Sequence, residues 1–169
     1  MQKDPCALVT GGAIGIGRGI ALALAQAGYD VGIHCNSNVQ RAQELRQQLC
    51  AMGRRCHVYP ADVRECAQID SLFARYMQDF GQLDLFVANA GITQKAPFLE
   101  MDAQTFDRIT QIDFRGTFFC VQQAARRMRD AGTRGNIIIL SSNNAFMQTP
   151  GGACYGAVKE APLKLTKHA

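Results

Sequence analysis

Thr10-Gly11-Gly12-Ala13-Ile14-Gly15-Ile16-Gly17 follows the apolar run Ala7-Leu8-Val9 and precedes an Ala/Leu-rich stretch, Ile20 to Ala27, that stops at Gly28. A strand that passes through glycines into a helix leaves the first helical N–H groups without partners, beside backbone that no side chain shields. Such a place suits an anion, a pyrophosphate above all. The spacing is G-x-x-x-G-x-G, so the G-x-G-x-x-G pattern of many dinucleotide-binding turns is not matched. A glycine turn also serves plain tight packing, so its meaning depends on its surroundings.

Those surroundings repeat the same unit. Val31 to Cys35 reads as a second strand, followed by a polar helix from Gln40 to Met52 that Gly53 stops. A third strand, His57 to Tyr59, leads to a helix from Glu65 to Phe80, stopped by Gly81. Leu85-Phe86-Val87-Ala88 is the fourth strand, and a long helix capped by Asp102 runs to about Arg129. Ile137 to Leu140 is the fifth, and a last helix covers roughly Cys154 to Ala169, with Pro162 expected to kink or weaken it. Strand–helix alternation of this kind predicts an α/β fold: a parallel sheet between two helical layers, doubly wound by right-handed crossovers. The apolar strands, without polar alternation, fit a sheet covered on both faces. Ligands in such folds sit at the carboxyl ends of the strands.

Composition bounds the rest. The 169 residues, 47% apolar and 19% charged, are one domain's worth of ordinary globular chain. No apolar run is long enough to span a membrane, and the segment after Met1-Gln2-Lys3-Asp4-Pro5 does not read as a secretory leader. The seven cysteines form no C-x-x-C pair and no metal-like set with histidine, so they read as buried small hydrophobes in a reducing cytoplasm, with no metal. Residues 1–114 carry ten Lys/Arg against twelve Asp/Glu, and residues 115–169 eight against two. That basic end is either a solvated face or an attraction for an anionic substrate or acidic carrier. Nucleic acid is disfavoured, since no aromatics interleave with the basic residues.

The strand ends hold the candidate chemistry. Asp62-Val63 follows strand three, and a lone acid there is ordinarily a cap or solvated. Asn89-Ala90-Gly91 follows strand four, small enough for a flat ring or ribose to approach the backbone. Ser141-Ser142 follows strand five, with Tyr155 and Lys159 further on, one helical turn apart on one face. A phenol ordinarily ionises near pH 10, about, and a neighbouring ammonium favours its phenolate. Tyr155 then suits proton exchange with a substrate oxygen held by the Ser142 hydroxyl.

Taken together, Thr10-Gly11-x-x-x-Gly15-x-Gly17, Asp62-Val63, Asn89-Ala90-Gly91, Ser142 and Tyr155-x-x-x-Lys159 resemble the short-chain dehydrogenase/reductase family along the whole chain. The resemblance implies a Rossmann-type sheet of about five strands here, in the order 3-2-1-4-5, and hydride transfer between NAD(P)(H) and a carbonyl or alcohol carbon. It implies Tyr155 as acid/base, Ser142 as substrate-oxygen donor, and Lys159 as both ribose ligand and modulator of the phenol. The turn from Gly11 to Gly17, with Ala13, Ile14, Gly15 and Ile16, would hold the pyrophosphate; Asp62 and Val63 the adenine; Asn89, Ala90 and Gly91 the adjoining ribose. Where NAD-preferring relatives place an acid, this chain has Cys35, then Asn36-Ser37-Asn38, which favours NADP(H) over NAD(H). No Arg or Lys fills the usual clamp positions, so Asn36 and Ser37 are expected to bond the 2′-phosphate.

Three departures stand out. Asp113 replaces the Asn usual in relatives as a fourth catalytic residue. Helical spacing puts it on a buried face with Phe106, Ile109 and Cys120, paired with Lys159 through water. The chain ends inside the Tyr155 helix, so residues 1–169 are expected to form one domain incomplete at its C-terminal end. Pro162 is the third. The closest likeness is to 3-oxoacyl-[acyl-carrier-protein] reductases and sugar or polyol dehydrogenases, which implies a small or carrier-bound substrate and a homodimer or homotetramer in the cytoplasm. Gln94, Asn143, Asn144, Phe146 and Gln148 are expected at the substrate, and Arg126, Arg127 and Arg129 are candidates for a carrier. The rival reading is a non-catalytic dinucleotide sensor or scaffold, or an inactive fragment of such an enzyme.

Overall fold

Strand β1 (Cys6–Val9) is fully buried and lies at the middle of the sheet, flanked by β2 (Asp30–Cys35) and β4 (Leu85–Ala88). The computed structural model describes residues 4–167. All pairings are parallel, and with β3 (Cys56–Pro60) and β5 (Asn136–Ile139) at the edges the order is β3-β2-β1-β4-β5. This is the doubly wound sheet that the alternation predicts.

Alternate side chains of each strand feed two separate cores, as a pleated sheet with helices on both sides requires. Ala7, Val9, Ile33 and Val87 pack with Leu45 and Leu49 of α2 (Val39–Ala51) and Ala21 and Ala25 of α1 (Gly15–Gln26). On the other face Leu8, Tyr59 and Phe86 pack with Phe73 and Tyr76 of α3 (Cys66–Phe80). Gly81, at φ 75°, ends α3 in the left-handed region, its N–H donating to the Met77 carbonyl. Five of the seven cysteines, Cys6, Cys35, Cys56, Cys120 and Cys154, are buried, and burial pushes the Cys56 and Cys120 thiols up to about 12.

The long helix is continuous in direction but not in kind. Asp102 caps α4 (Ala103–Ile109), accepting from the Thr105 N–H at 2.7 Å; a π turn covers Thr110–Gly116, and α5 runs from Thr117 to Asp130. Ile109 and Cys120 are buried as expected, whereas Phe106 is 48% exposed. The π turn holds Asp113 and Gly116 buried between Ile109 and Cys120.

Two further expectations shift. Helix α1 begins at Gly15, five residues before the apolar run, so the glycines belong to its first turn. Helix α6 (Ala153–Leu165) contains Pro162, whose ring is buried. Its expected end at Ala169 lies outside the described residues. At the sheet edge Ile138 is 49% exposed, so β5 is not covered on both faces. Among the described residues, no helix is long and apolar enough to cross a membrane, and no group of acidic, Cys and His side chains could hold a metal ion.

Candidate active site

The carboxyl ends of the strands open into one cleft of about 490 Å³. Its floor is the glycine turn, held from both sides. Gly11, at φ 63°, donates its N–H to His34 Nδ1 at 3.1 Å and accepts from Asn89 Nδ2 at 3.1 Å. Asn89 also donates to the Thr10 carbonyl at 2.8 Å, and the Thr10 hydroxyl accepts from the N–H groups of Asn89 and Ala90. A Cβ on Gly17 would run into the Gly11 carbonyl and Asn89, so only glycine lets α1 start this close. No side chain caps α1, whose N-cap Ile14 is extended, and its first turn holds no acid. Its free N–H groups and positive dipole end therefore face the cleft uncompensated.

Gly11, Ala13, Ile14, Ile16 and Gly17 line this cleft, and Asn36 and Ser37 join them from the end of β2. Gly15 instead borders an adjoining hollow that shares Ala13 and Ile14 and is edged by Arg18 and Arg41. The packing of α1 beside α2 brings Arg18 and Arg41 together there with Glu44 and Gln48, which sequence position alone did not show. Asp62 and Val63 line the far wall. Hydrogen bonds from the Arg64 guanidinium hold the Asp62 carboxyl below the usual carboxylate range.

At the other end, Tyr155 and Lys159 of α6 face the cleft with Asn89, Ala90, Gly91 and Asp113. Lys159 Nζ lies 5.8 Å from the centre of the Tyr155 ring and 3.2 Å from Asp113 Oδ2, with both charged side chains buried. This ion pair is direct, where the sequence led us to expect a bridging water; its angle falls outside hydrogen-bond geometry. The other oxygen, Oδ1, accepts from the Ile92 N–H at 2.8 Å. Gly91 makes the meeting possible, since a Cβ there would sit 2.8 Å from Asp113 Oδ2 and 3.1 Å from Lys159 Nζ. Burial pushes the Asp113 carboxyl above the usual range, against the pull of Lys159 and the Ile92 N–H.

The serines divide. Ser141 lines the cleft, its hydroxyl donating to the Lys159 carbonyl at 2.5 Å, while Ser142 is turned into its own loop between Asn143 Oδ1 and the Asn144 N–H. Gln94, Asn143, Asn144, Phe146 and Gln148 are not brought to the cleft; Gln94 donates to the Thr105 hydroxyl and Asn144 accepts from that of Thr149. Conversely His34, Arg108 and Thr93 line it unforeseen. A histidine inside the apolar strand Val31-Gly32-Ile33-His34-Cys35 was the available signal for the first.

The sequence pattern of the short chain dehydrogenase family matches residues 5–169. The chain belongs to that family. It is 34% identical over 169 residues to the 3-oxoacyl-[acyl-carrier-protein] reductase FabG of Staphylococcus aureus, covering all of this chain and 68% of that protein. Among solved structures it is similar to an acetoin dehydrogenase from Enterobacter cloacae, with TM-score 0.90 and 36% identity over 99% of this chain and 66% of that one. A short-chain dehydrogenase from Burkholderia cenocepacia, solved in complex with NADP, gives TM-score 0.90 and 31% identity over 97% of this chain and 66% of that one. The chain thus spans about two thirds of the length of these relatives.

Proposed function

We propose that this protein is an oxidoreductase that interconverts a carbonyl and an alcohol, using NADP(H), on a small or carrier-bound substrate of the 3-oxoacyl or sugar/polyol kind. The observation that carries this reading is the opening of Tyr155, Lys159 and Asp113 into the same cleft as the glycine turn. Residues 1–169 act in it as one dinucleotide-binding domain.

The residues fit a dinucleotide. The Gly11–Gly17 cradle, where added side chains would clash, and the uncapped start of α1 would hold the pyrophosphate. Asp62 and Val63 would hold the adenine, Asn89, Ala90 and Gly91 the adjoining ribose, and Lys159 a ribose hydroxyl nearer Tyr155. Asn36 and Ser37 would hold the 2′-phosphate that distinguishes NADP(H), and Arg18 and Arg41, in the hollow that adjoins the cleft at Ala13 and Ile14, would add positive charge. When bound, the cofactor supplies or accepts the hydride. The chain does the rest: Tyr155 Oη gives its proton to the substrate oxygen during reduction and takes it back during oxidation. The Lys159 ammonium favours the charge that develops on that phenolic oxygen. Ser142 would steady the substrate oxygen after its hydroxyl leaves Asn143 Oδ1, a weak bond of 3.2 Å. Phe106 of α4, Phe114 of the π turn and Phe118 of α5, all exposed, offer apolar surface for a homodimer or homotetramer.

Fluorescence titration with NADPH and NADH, followed by turnover on a ketone panel, tests the reading. NADPH should bind about tenfold tighter than NADH, and Arg41→Ala should reduce that preference. Equal or better binding of NADH overturns the cofactor assignment. Binding without turnover on any ketone favours a sensor or scaffold.

A further inference from the structure

His34 has no task in the reaction above, yet it is buried at 2% exposure against the floor of the cleft. We propose that His34 is a positioning residue whose neutral ring ties the dinucleotide turn to the opposite wall of the cleft, and that a proton on Nδ1 unties it. This rests on the dinucleotide reading above.

The ring spans two segments that the cofactor would bridge. Nδ1 accepts from the Gly11 N–H at 3.1 Å, and Nε2 faces the carbonyl of Ala61, next to Asp62, at 3.0 Å. One partner is a donor and the other an acceptor, so the bonding assigns the neutral Nε2–H tautomer. The turn's other ties here, from the Gly12 N–H to the His34 carbonyl at 2.9 Å and from Asn89 to Gly11, involve no titratable group. Adding a proton to Nδ1 sets N–H against N–H at Gly11, and that bond is lost while the bond to Ala61 survives.

The charged group facing the ring is Asp62, whose carboxylate is already engaged by Arg64. Tyr59, the register partner of His34 on β3, sends its hydroxyl away to Asp79 at 2.7 Å. Neither β4 nor the glycine turn carries a titratable side chain, and β1 has only Cys6 at its far end. Burial pushes the ring below the ordinary histidine value, so it stays neutral near pH 7 and gains its proton only under acid conditions.

The test compares the full chain with its His34→Gln form, because a glutamine amide offers one acceptor and one donor and cannot take up a proton. NADPH dissociation constants are measured from about pH 7.5 to about 5, a range that runs below the ordinary histidine value. The 2′-phosphate titrates with both proteins and Asp62 stays charged in both, so a difference in slope belongs to residue 34. Over this range the parent should lose about tenfold more affinity than His34→Gln, the worth of one buried hydrogen bond. Equal slopes with binding intact overturn the His34 proposal alone. If neither protein binds NADPH, the dinucleotide reading falls with it. Nitrogen-15 spectra of the imidazole add a readout without cofactor. A neutral Nε2–H ring near pH 7 supports the tie, and an Nδ1–H or charged ring overturns it.

Discussion

Asp113→Asn should change the stability of this protein little near neutral pH and lower it relative to the parent in acid. Two donors face the two carboxylate oxygens: the Ile92 N–H at 2.8 Å from Oδ1 and Lys159 Nζ at 3.2 Å from Oδ2. Asparagine has one oxygen, so its NH₂ must point at one of these donors. Leaving a buried donor unmet costs about 1–3 kcal/mol, and stripping a buried ammonium of its partner costs about 3–5 kcal/mol. Against this stands the relief of desolvating one carboxylate, which is the dominant influence on Asp113. Because burial outweighs both pulls on the carboxylate, the net change near neutral pH should stay within about 1 kcal/mol, or roughly 3 °C in Tm for a domain of this size. The sign of the pH dependence follows from the raised carboxyl. The folded chain holds this proton more tightly than the unfolded one, so the stability Asp113 contributes falls as pH rises from about 4 through its folded value. The gap between parent and Asp113→Asn should therefore widen as pH falls through that window. Urea melts at several pH values measure it. A gap that narrows in acid means that pairing with Lys159, not burial, governs the carboxyl, and refutes the reasoning.

Tyr155→Phe should lower kcat by about 10²–10⁴-fold while the NADPH dissociation constant stays within about twofold. Turnover equal to the parent's removes Tyr155 from the acid/base role. Gly17→Ala should weaken NADPH by more than about tenfold and lower Tm, because the new methyl runs into the Gly11 carbonyl and Asn89. Unchanged affinity in a titration shows that the turn does not hold the phosphates.

The sheet was legible because its strands are short apolar runs punctuated by glycines, and their order matched the resemblance. The start of α1 was not: Gly15 and Gly17 read as turn residues, yet their missing side chains are what lets helical backbone press against Gly11. A π turn has no sequence mark; spacing still found the buried Ile109, Asp113 and Cys120, and misplaced only Phe106, on the exposed side of α4. Within the site, groups at the ends of β1 to β4 and on the Tyr-x-x-x-Lys spacing line one cleft. Those on loops do not, since Asn143, Asn144 and Ser142 satisfy one another locally. Arg18 and Arg41 escaped notice because they converge only through the packing of α1 beside α2.

The distribution of charge also reads differently once folded. Eight basic residues lie beyond residue 114, but of these only Lys159 lines the cleft, and Asp113 balances it. Arg126 and Arg129 stand exposed on α5, on a helix packed behind the sheet rather than at the strand ends. The basic end of the chain is therefore not what draws an anion into the cleft. In the proposed reading that work falls to the uncapped first turn of α1, to Arg18 and Arg41 in the adjoining hollow, and to Arg108 in the cleft lining. Since α1 presents backbone N–H groups that titrate with nothing, dinucleotide affinity should depend on salt through these arginines and on acid through His34, two dependences that separate experimentally.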